Sequence, residues 1–285
     1  MTAAPTPLRV GLSTVSVYPE STAQAFDWAV TLGYDAVEVM VGVDRDSTNI
    51  ESVRQLAEGH GVAVSAIHAP CLLFTQRVWG SEPWGKLERS AEMAHAVGAG
   101  TVVVHPPFRW QRDYARYFVE GIKRLERETG LIYAVENMYP WKASGKRQGS
   151  VEMYLPERDP STASPDTYAH GTLDLSHAAI AGDDVVEMAQ RWGDRLRHIH
   201  LTDGTGSAKD EHLVPGRGTT GADRFLHHLV ETGFDGEIIV EITTRKAGSR
   251  EARGELLAES LAFARTHLGQ SGTPVPPTPA SPPTE

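Results

Sequence analysis

Short β-rich segments alternate with longer amphipathic segments along most of the chain, and this alternation constrains the fold more than any other feature of the sequence. It predicts strands at residues 9–13, 36–41, 63–67, 101–105, 132–136, 171–175, 198–201 and 238–242. It predicts helices at residues 22–31, 50–60, 84–97, 113–129, 184–192, 222–232 and 250–267. Strands that alternate with helical crossovers lie parallel, and eight of them predict a single (β/α)8 barrel of the α/β class.

Glycines at the ends of the predicted helices support the prediction of a barrel. Five helices run directly into a glycine, namely Gly33, Gly61, Gly98, Gly130 and Gly233. Each glycine fits a left-handed C-cap that leads into the next strand. The exception follows the fifth strand, where residues 138–170 form a long loop that contains Pro, Ser and basic residues. Long loops in compact domains are usually functional or disordered.

The length of 285 residues, with 40% hydrophobic content, suits one barrel over residues 8–268. Residues 1–7 are expected to be a flexible N-terminus, and the proline-rich tail at 269–285 has too few apolar residues to fold.

Composition excludes several kinds of protein. The single cysteine, Cys71, excludes an internal disulfide and a cysteine-cluster metal site. The net charge of −10 argues against a broad nucleic-acid footprint. The sequence has no apolar run long enough for a membrane span and no secretory signal at its start, so a cytoplasmic location is expected.

Polar residues end the later strands of the predicted barrel, where active sites of this architecture lie. The third to eighth strands end in or near His68, His105, Glu136, Asp174 with His177, His200 and Glu241. A single such residue often has a structural role, as a hydrogen-bonded histidine or a helix-capping carboxylate. Gathering all of them at one barrel mouth without a cation would cost several kcal/mol. Imidazoles and carboxylates without thiolates predict Zn²⁺ or Mn²⁺, with Co²⁺ as an alternative.

Three motifs make a family resemblance specific. They are Leu173-Asp174-Leu175-Ser176-His177, the strand His198-Ile199-His200, and Asp210-Glu211-His212 with Gly216 and Gly218 after it. On these motifs the chain resembles, over roughly residues 8–268, the xylose isomerase-like TIM-barrel superfamily. This superfamily includes sugar and sugar phosphate isomerases and epimerases, together with AP endonucleases of family 2, the endonuclease IV type.

The resemblance implies one to three divalent metal ions per chain. A central ion would be held, as in the epimerases, by Glu136, Asp174, His200 and Glu241. In the endonuclease IV branch a three-zinc cluster adds further ligands, whose counterparts here are His68, His105, His177, Asp210 and His212. Because every one of these residue types is present, the ligands do not separate the two branches.

An isomerase or epimerase of a sugar or sugar phosphate needs an acid and a base on either side of an enediolate. Glu136 and Glu241 fit these roles because they end strands that lie three apart in the ring. The resemblance further implies that His177 and Arg217 bind substrate oxygens.

The alternatives are a metal-dependent phosphodiester hydrolase at abasic DNA sites and a barrel that binds a metal or ligand without catalysis. The hydrolase branch places an aromatic and an aliphatic wedge after the third-strand histidine. The segment Ala69-Pro70-Cys71-Leu72-Leu73 keeps the aliphatic residue and lacks the aromatic one. This difference favours a sugar substrate.

Aromatic and basic side chains gather in the loops after the third to fifth strands. Trp110 and Trp141 are candidates for stacking on a sugar ring, and the alternative is a packed cluster or a subunit contact in a homo-oligomer. Cys71 is interpreted as a packing residue, and His198 is expected to fill a lower layer of the barrel.

Overall fold

Eight parallel strands close into a barrel in the computed structural model, which describes residues 7–72, 75–139, 142–144, 150–164 and 167–270. The barrel strands are β1 (Val10–Ser13), β2 (Ala36–Met40), β3 (Ala63–His68), β4 (Thr101–Val104), β5 (Ile132–Glu136), β8 (Gly171–Asp174), β9 (Leu196–Leu201) and β10 (Glu237–Val240). They follow one another around the ring in chain order, and β10 closes it by pairing with β1 through Val10 and Ile238. The predicted barrel is confirmed, with strand bounds within two residues of those predicted.

Helices cover the outside of the ring. They are α1 (Thr22–Leu32), α2 (Arg45–Thr48), α3 (Ile50–His60), α4 (Pro83–Val97), α5 (Arg112–Thr129), α6 (Leu175–Ala181), α7 (Val185–Trp192), α8 (Ala222–Thr232) and α9 (Arg250–His267). The five predicted glycine caps all have positive φ. The sequence pattern missed the two short helices α2 and α6. Within the described part of the chain, no helix is both long enough and apolar enough to cross a membrane.

The long loop after β5 folds over the rim. It contains a short antiparallel hairpin of β6 (Lys142–Ser144) and β7 (Ser150–Glu152). Its return is anchored by Asp159, whose carboxylate accepts a hydrogen bond of 2.7 Å from the backbone N–H of Met138. Tyr154 stacks on Phe108, with 4.7 Å between the ring centroids. The loop after β5 therefore packs on the loop after β4. The predicted disordered tail lies outside the described residues, apart from Gly269 and Gln270.

Candidate metal centre at the barrel rim

The barrel brings the nine predicted ligands together at the carboxyl ends of its strands. Six lie at strand ends or one residue away from them: His68, His105, Glu136, Asp174, His200 and Glu241. His177 lies in the first turn of α6. The carboxylate of Asp174 caps this helix and accepts a hydrogen bond of 2.8 Å from the backbone N–H of His177. Asp210 and His212 come from the loop after β9, which returns to the rim through paired hydrogen bonds between Asp203 and Leu213.

Glu136 lies at the centre of the group and is 1% exposed. Its Oε2 atom lies 3.1 Å from Nε2 of His105 and 3.3 Å from Nε2 of His68. Its Oε1 atom lies 3.1 Å from Nδ1 of His177 and 3.4 Å from Nδ1 of His200. One carboxylate thus contacts four imidazoles, which is an arrangement suited to bridging two cations.

Asp210 joins the two histidines on the other side of the site. Its carboxylate oxygens lie 3.4 Å from Nε2 of His177 and 3.0 Å from Nε2 of His212. His212 has a φ of 41°, in the left-handed region that a non-glycine residue adopts only at a cost of about 1–3 kcal/mol. The Ser176 hydroxyl supports this conformation, since it accepts from the His212 N–H and donates to Asp210. The strained backbone turns the imidazole into the site.

His200 occupies the space between the remaining carboxylates. Its Nε2 lies 3.3 Å from Oε2 of Glu241, and its Nδ1 lies 3.6 Å from Oδ2 of Asp174. Asp174, His200 and Glu241 each offer a ligand atom within 4.8 Å of the others. Two further triads have ligand atoms equally close together: His68 with Glu136 and His200, and Asp174 with His177 and His212.

Several buried atoms of this group have no hydrogen-bond partner among the described residues. They are Oε2 of Glu136, Oδ2 of Asp174, Nδ1 of His200 and Oε2 of Glu241. Buried polar atoms are nearly always satisfied, and oxygen and nitrogen atoms in this spacing are the donors that Zn²⁺ or Mn²⁺ accepts. The four central residues therefore fit a divalent cation.

Backbone carbonyls orient three of the rim histidines. The Nδ1 atoms of His68, His177 and His212 lie 3.1, 2.9 and 3.0 Å from the carbonyl oxygens of Ala69, Asn137 and Glu241, respectively. A proton on each Nδ1 donates to its carbonyl and leaves Nε2 as the ligand atom. The tautomers are thus fixed by the fold.

The two candidate catalytic carboxylates lie in different electrostatic surroundings. Burial alone would raise the pKa of Glu136, but the charges of His105 and His200 outweigh it and hold this pKa well below its ordinary value. Burial raises the pKa of Glu241 above its ordinary value, because His200 and His212 oppose it only in part. Carboxyl groups whose pKa values are pushed apart can serve as base and acid in one reaction.

Two cavities open at the rim. One of about 210 Å³ lies over the ligands and is lined by Glu136, His177 and Glu241 among others. A second, of about 830 Å³, adjoins it at His105 and is lined by Trp110, which is 46% exposed and stacks on Phe108. Trp110 is thus placed to contact a ligand, while Trp141 lies outside the described residues.

Arg217 pairs with α9 in this structure and contacts none of the nine ligands. Its guanidinium donates to the carboxylate of Glu259 on α9 at 2.8 and 2.5 Å, and its side chain is 52% exposed. The expectation that Arg217 binds substrate oxygens stays a prediction. Gly216, at a φ of 87°, directly precedes it in the loop, which runs beside α9 at this point.

Glu38 is the residue that the sequence analysis missed. It ends no strand, and the polar strand ends that predict the site belong to strands three to eight. It is fully buried in β2, with Oε2 3.0 Å from Nε2 of His198 and Oε1 3.2 Å from Nε2 of His200. A carboxylate between Val37 and Val39 in an apolar strand was the available signal.

The parallel barrel and the histidines and carboxylates that converge at its rim define a (β/α)8 barrel protein with a candidate metal centre. The family model described as xylose isomerase-like TIM barrel matches residues 26–267, and the chain belongs to this family.

The proteins similar to this chain include an uncharacterized relative and two epimerases. The uncharacterized protein Rv0498 of Mycobacterium tuberculosis is 47% identical over 277 residues, covering 92% of this chain and 98% of the relative. Fructoselysine 3-epimerase of Escherichia coli O157:H7 is 20% identical, covering 83% of this chain and 91% of the relative. The structure of the 3-keto-D-glucoside 4-epimerase YcjR from E. coli has a TM-score of 0.67 at 17% identity, covering 91% of this chain and 99% of that one.

Proposed function

We propose that the protein is a metal-dependent epimerase or isomerase that acts on a sugar or sugar phosphate through an enediolate. The observation that carries the proposal is the placement of Glu136 and Glu241 on two sides of His200. Glu136 approaches Nδ1 of this imidazole at 3.4 Å, and Glu241 approaches Nε2 at 3.3 Å. Two carboxyl groups that face one another across a small cavity can reach opposite faces of a bound sugar.

The pKa values of the two carboxyl groups are shifted in opposite directions, which supports a division of roles between them. Glu136, with its lowered pKa, is a carboxylate that can accept the proton next to the substrate carbonyl. Glu241, with its raised pKa, can deliver a proton to the other face. Return of the proton on the opposite face inverts the carbon, whereas transfer between neighbouring carbons isomerises the sugar.

Glu136, Asp174, His200 and Glu241 would hold the cation, which supplies positive charge to stabilise the enediolate oxygens. His177, which is held by the carbonyl of Asn137, lies at the cavity wall and is placed to bind a substrate hydroxyl. From the loop after β5, Met138, Tyr139 and Tyr154 line the cavity over the ligands. Epimerases of fructoselysine and of a 3-keto-D-glucoside among the similar proteins support a sugar substrate.

Solvent-exchange measurements test this function. Protein loaded with Mn²⁺, Zn²⁺ or Co²⁺ is incubated in D2O with a panel of ketoses and ketose phosphates, and carbon-bound deuterium is measured. We expect exchange in at least one substrate and a loss of about 100-fold or more in Glu136→Gln and Glu241→Gln, the range of a positioned acid or base. Glu92→Gln, an exposed change on α4, is the matched control and should retain full exchange. No exchange with any substrate in metal-loaded protein would contradict the proposal.

A second candidate function follows from the number of ligands. The nine residues form overlapping groups around Glu136, His200 and Asp210, which is enough for more than one cation. Clustered cations favour hydrolysis of a phosphodiester, as at abasic sites in DNA. Metal-dependent nicking of abasic duplex DNA, without deuterium exchange in any sugar, would support this alternative. Absence of both activities would leave a barrel that binds its metal without catalysis.

A further inference from the structure

Three fully buried groups form a continuous polar chain inside the barrel, below the rim. His198 and His200 occupy alternate positions of β9 and therefore face the same side of the strand. Glu38 reaches them from β2, which is separated from β9 by β1 and β10 in the ring. Its two carboxylate oxygens lie 3.0 Å from Nε2 of His198 and 3.2 Å from Nε2 of His200. Glu38 thus crosses the barrel interior to contact both rings.

His200 is oriented differently from the other rim histidines. In His68, His177 and His212 a backbone carbonyl accepts from Nδ1, so that Nε2 faces the site. In His200 the hydrogen bond is made by Nε2, to the carboxylate of Glu38. Its Nδ1 faces Glu136 and Asp174 and has no hydrogen-bond partner among the described residues.

A carboxylate acceptor differs from a carbonyl acceptor in one important respect. Both fix the tautomer and the ring plane, but the carboxylate also carries a charge, which makes the opposite nitrogen a stronger donor to a metal. Burying that charge costs free energy unless it is paired, and burial lowers the pKa of the neighbouring His198, which favours its neutral form. Apolar side chains would fill the same interior volume at lower cost. A buried carboxylate at this place therefore calls for a role beyond filling the barrel.

We propose that Glu38 is a positioning residue for the metal centre: it holds His200 with Nδ1 toward the cation and strengthens this ligand. His198 lies against the second carboxylate oxygen of Glu38, at 3.0 Å. The inference rests on the metal site of the proposed function, but not on the reaction or the substrate. Oε2 of Glu241 also lies 3.3 Å from Nε2 of His200, and it has no hydrogen-bond partner among the described residues. Glu38, and not Glu241, is therefore the acceptor that fixes the ring.

Titration of the full-length protein with Co²⁺ tests the proposal, because the visible spectrum of this ion reports its ligands and each binding step. His200→Gln should abolish one Co²⁺-binding step, which identifies the step that depends on this ligand. Glu38→Gln should weaken the same step about 10- to 100-fold, the range for losing the hydrogen-bond partner of a metal ligand. Glu38→Asp keeps the charge but shortens the side chain, and it should weaken the same step and alter the spectrum. His198→Asn should give a smaller loss.

Glu237→Gln is the matched control, because Glu237 is also a glutamate of a barrel strand but lies at the start of β10, away from the rim, and its described ion-pair partner is Arg9. It should bind Co²⁺ with wild-type affinity and spectrum. A purely structural role of Glu38 would lower the unfolding midpoint and leave the affinity and spectrum of the folded protein unchanged. That result, in Glu38→Gln or, if this variant does not fold, in Glu38→Asp, would overturn the proposal. Weaker Co²⁺ binding in these variants would support the role of Glu38 even if the wild type shows no deuterium exchange in any sugar. In that case only the proposed epimerase function would be contradicted.

Discussion

Buried carboxylates in this barrel differ in their neighbours, and their protonation differs accordingly. Glu136 contacts four imidazoles, which keep it ionised. Glu237, at the start of β10, has Arg9 as its ion-pair partner at 3.8 Å. Burial, reinforced by the charge of Glu38 and opposed by Arg9, raises the pKa of Glu237 to about 7. The same residue type is thus a permanent anion at the rim and a titrating group at the opposite end.

Glu237 should make stability depend on pH. The pKa of a glutamate is near 4.5 in the unfolded chain and about 7 here, so the folded state binds a proton that the unfolded state has lost between these values. The stabilising effect is complete below pH 4.5 and is lost as pH rises through 7. At pH 8 Glu237→Gln should unfold with a free energy larger than wild type by on the order of 2 kcal/mol, and the difference should nearly vanish at pH 5. Denaturant unfolding at both values measures it, and a difference independent of pH would contradict the assignment.

At the scale of elements, tryptophans that pack directly against glycines set how closely neighbouring helices approach. Trp84 of α4 lies over Gly121 of α5, where an added Cβ would come within 1.9 Å of the ring. Trp28 of α1 lies over Gly254 of α9 in the same way, with 2.7 Å to an added Cβ. In both pairs the missing side chain of one helix makes room for the indole of the next.

Gly121→Ala should therefore destabilise the fold although alanine is the better helix former. The helix propensity gain is about 1 kcal/mol, whereas overpacking of a core costs about 1–3 kcal/mol. Gly59→Ala in α3 is the control, since an added Cβ there meets nothing within 4 Å. We expect a lower urea midpoint for Gly121→Ala and an equal or higher one for Gly59→Ala. Equal midpoints in the two variants would show that the Trp84 ring can move aside.

The elements that the sequence predicted are those with a clear period or cap. The barrel strands and the seven long helices were found because their apolar pattern and C-terminal glycines are local signals. The helix α6 was missed because it begins directly after Asp174, which ends a strand and caps the helix at once. Side-chain directions were not predictable. Arg217 turns to Glu259, 42 residues away, and Glu38 reaches His200 across the barrel, 162 residues away.

At the scale of the whole molecule, the candidate ligands connect elements that are distant in the chain. The four central residues come from β5, β8, β9 and the residue after β10, so they span half of the ring. Their charges repel or are desolvated when the rim is assembled without a cation. A cation that binds the folded barrel but not the unfolded chain would therefore stabilise these strands together.

Metal binding should accordingly raise the melting temperature of the entire domain. At a free metal concentration 100 times the dissociation constant, the gain is about 2.7 kcal/mol, which for a domain of this size corresponds to roughly 5–10 °C. The comparison is between EDTA-treated protein and the same protein after addition of Zn²⁺ or Mn²⁺, followed by calorimetry. Glu241→Gln should reduce the shift because one ligand is weakened, whereas Glu92→Gln on the exposed face of α4 should show the full shift. A melting temperature that does not respond to either ion would argue that the rim is stable without metal, and that its histidines and carboxylates satisfy one another through protons alone.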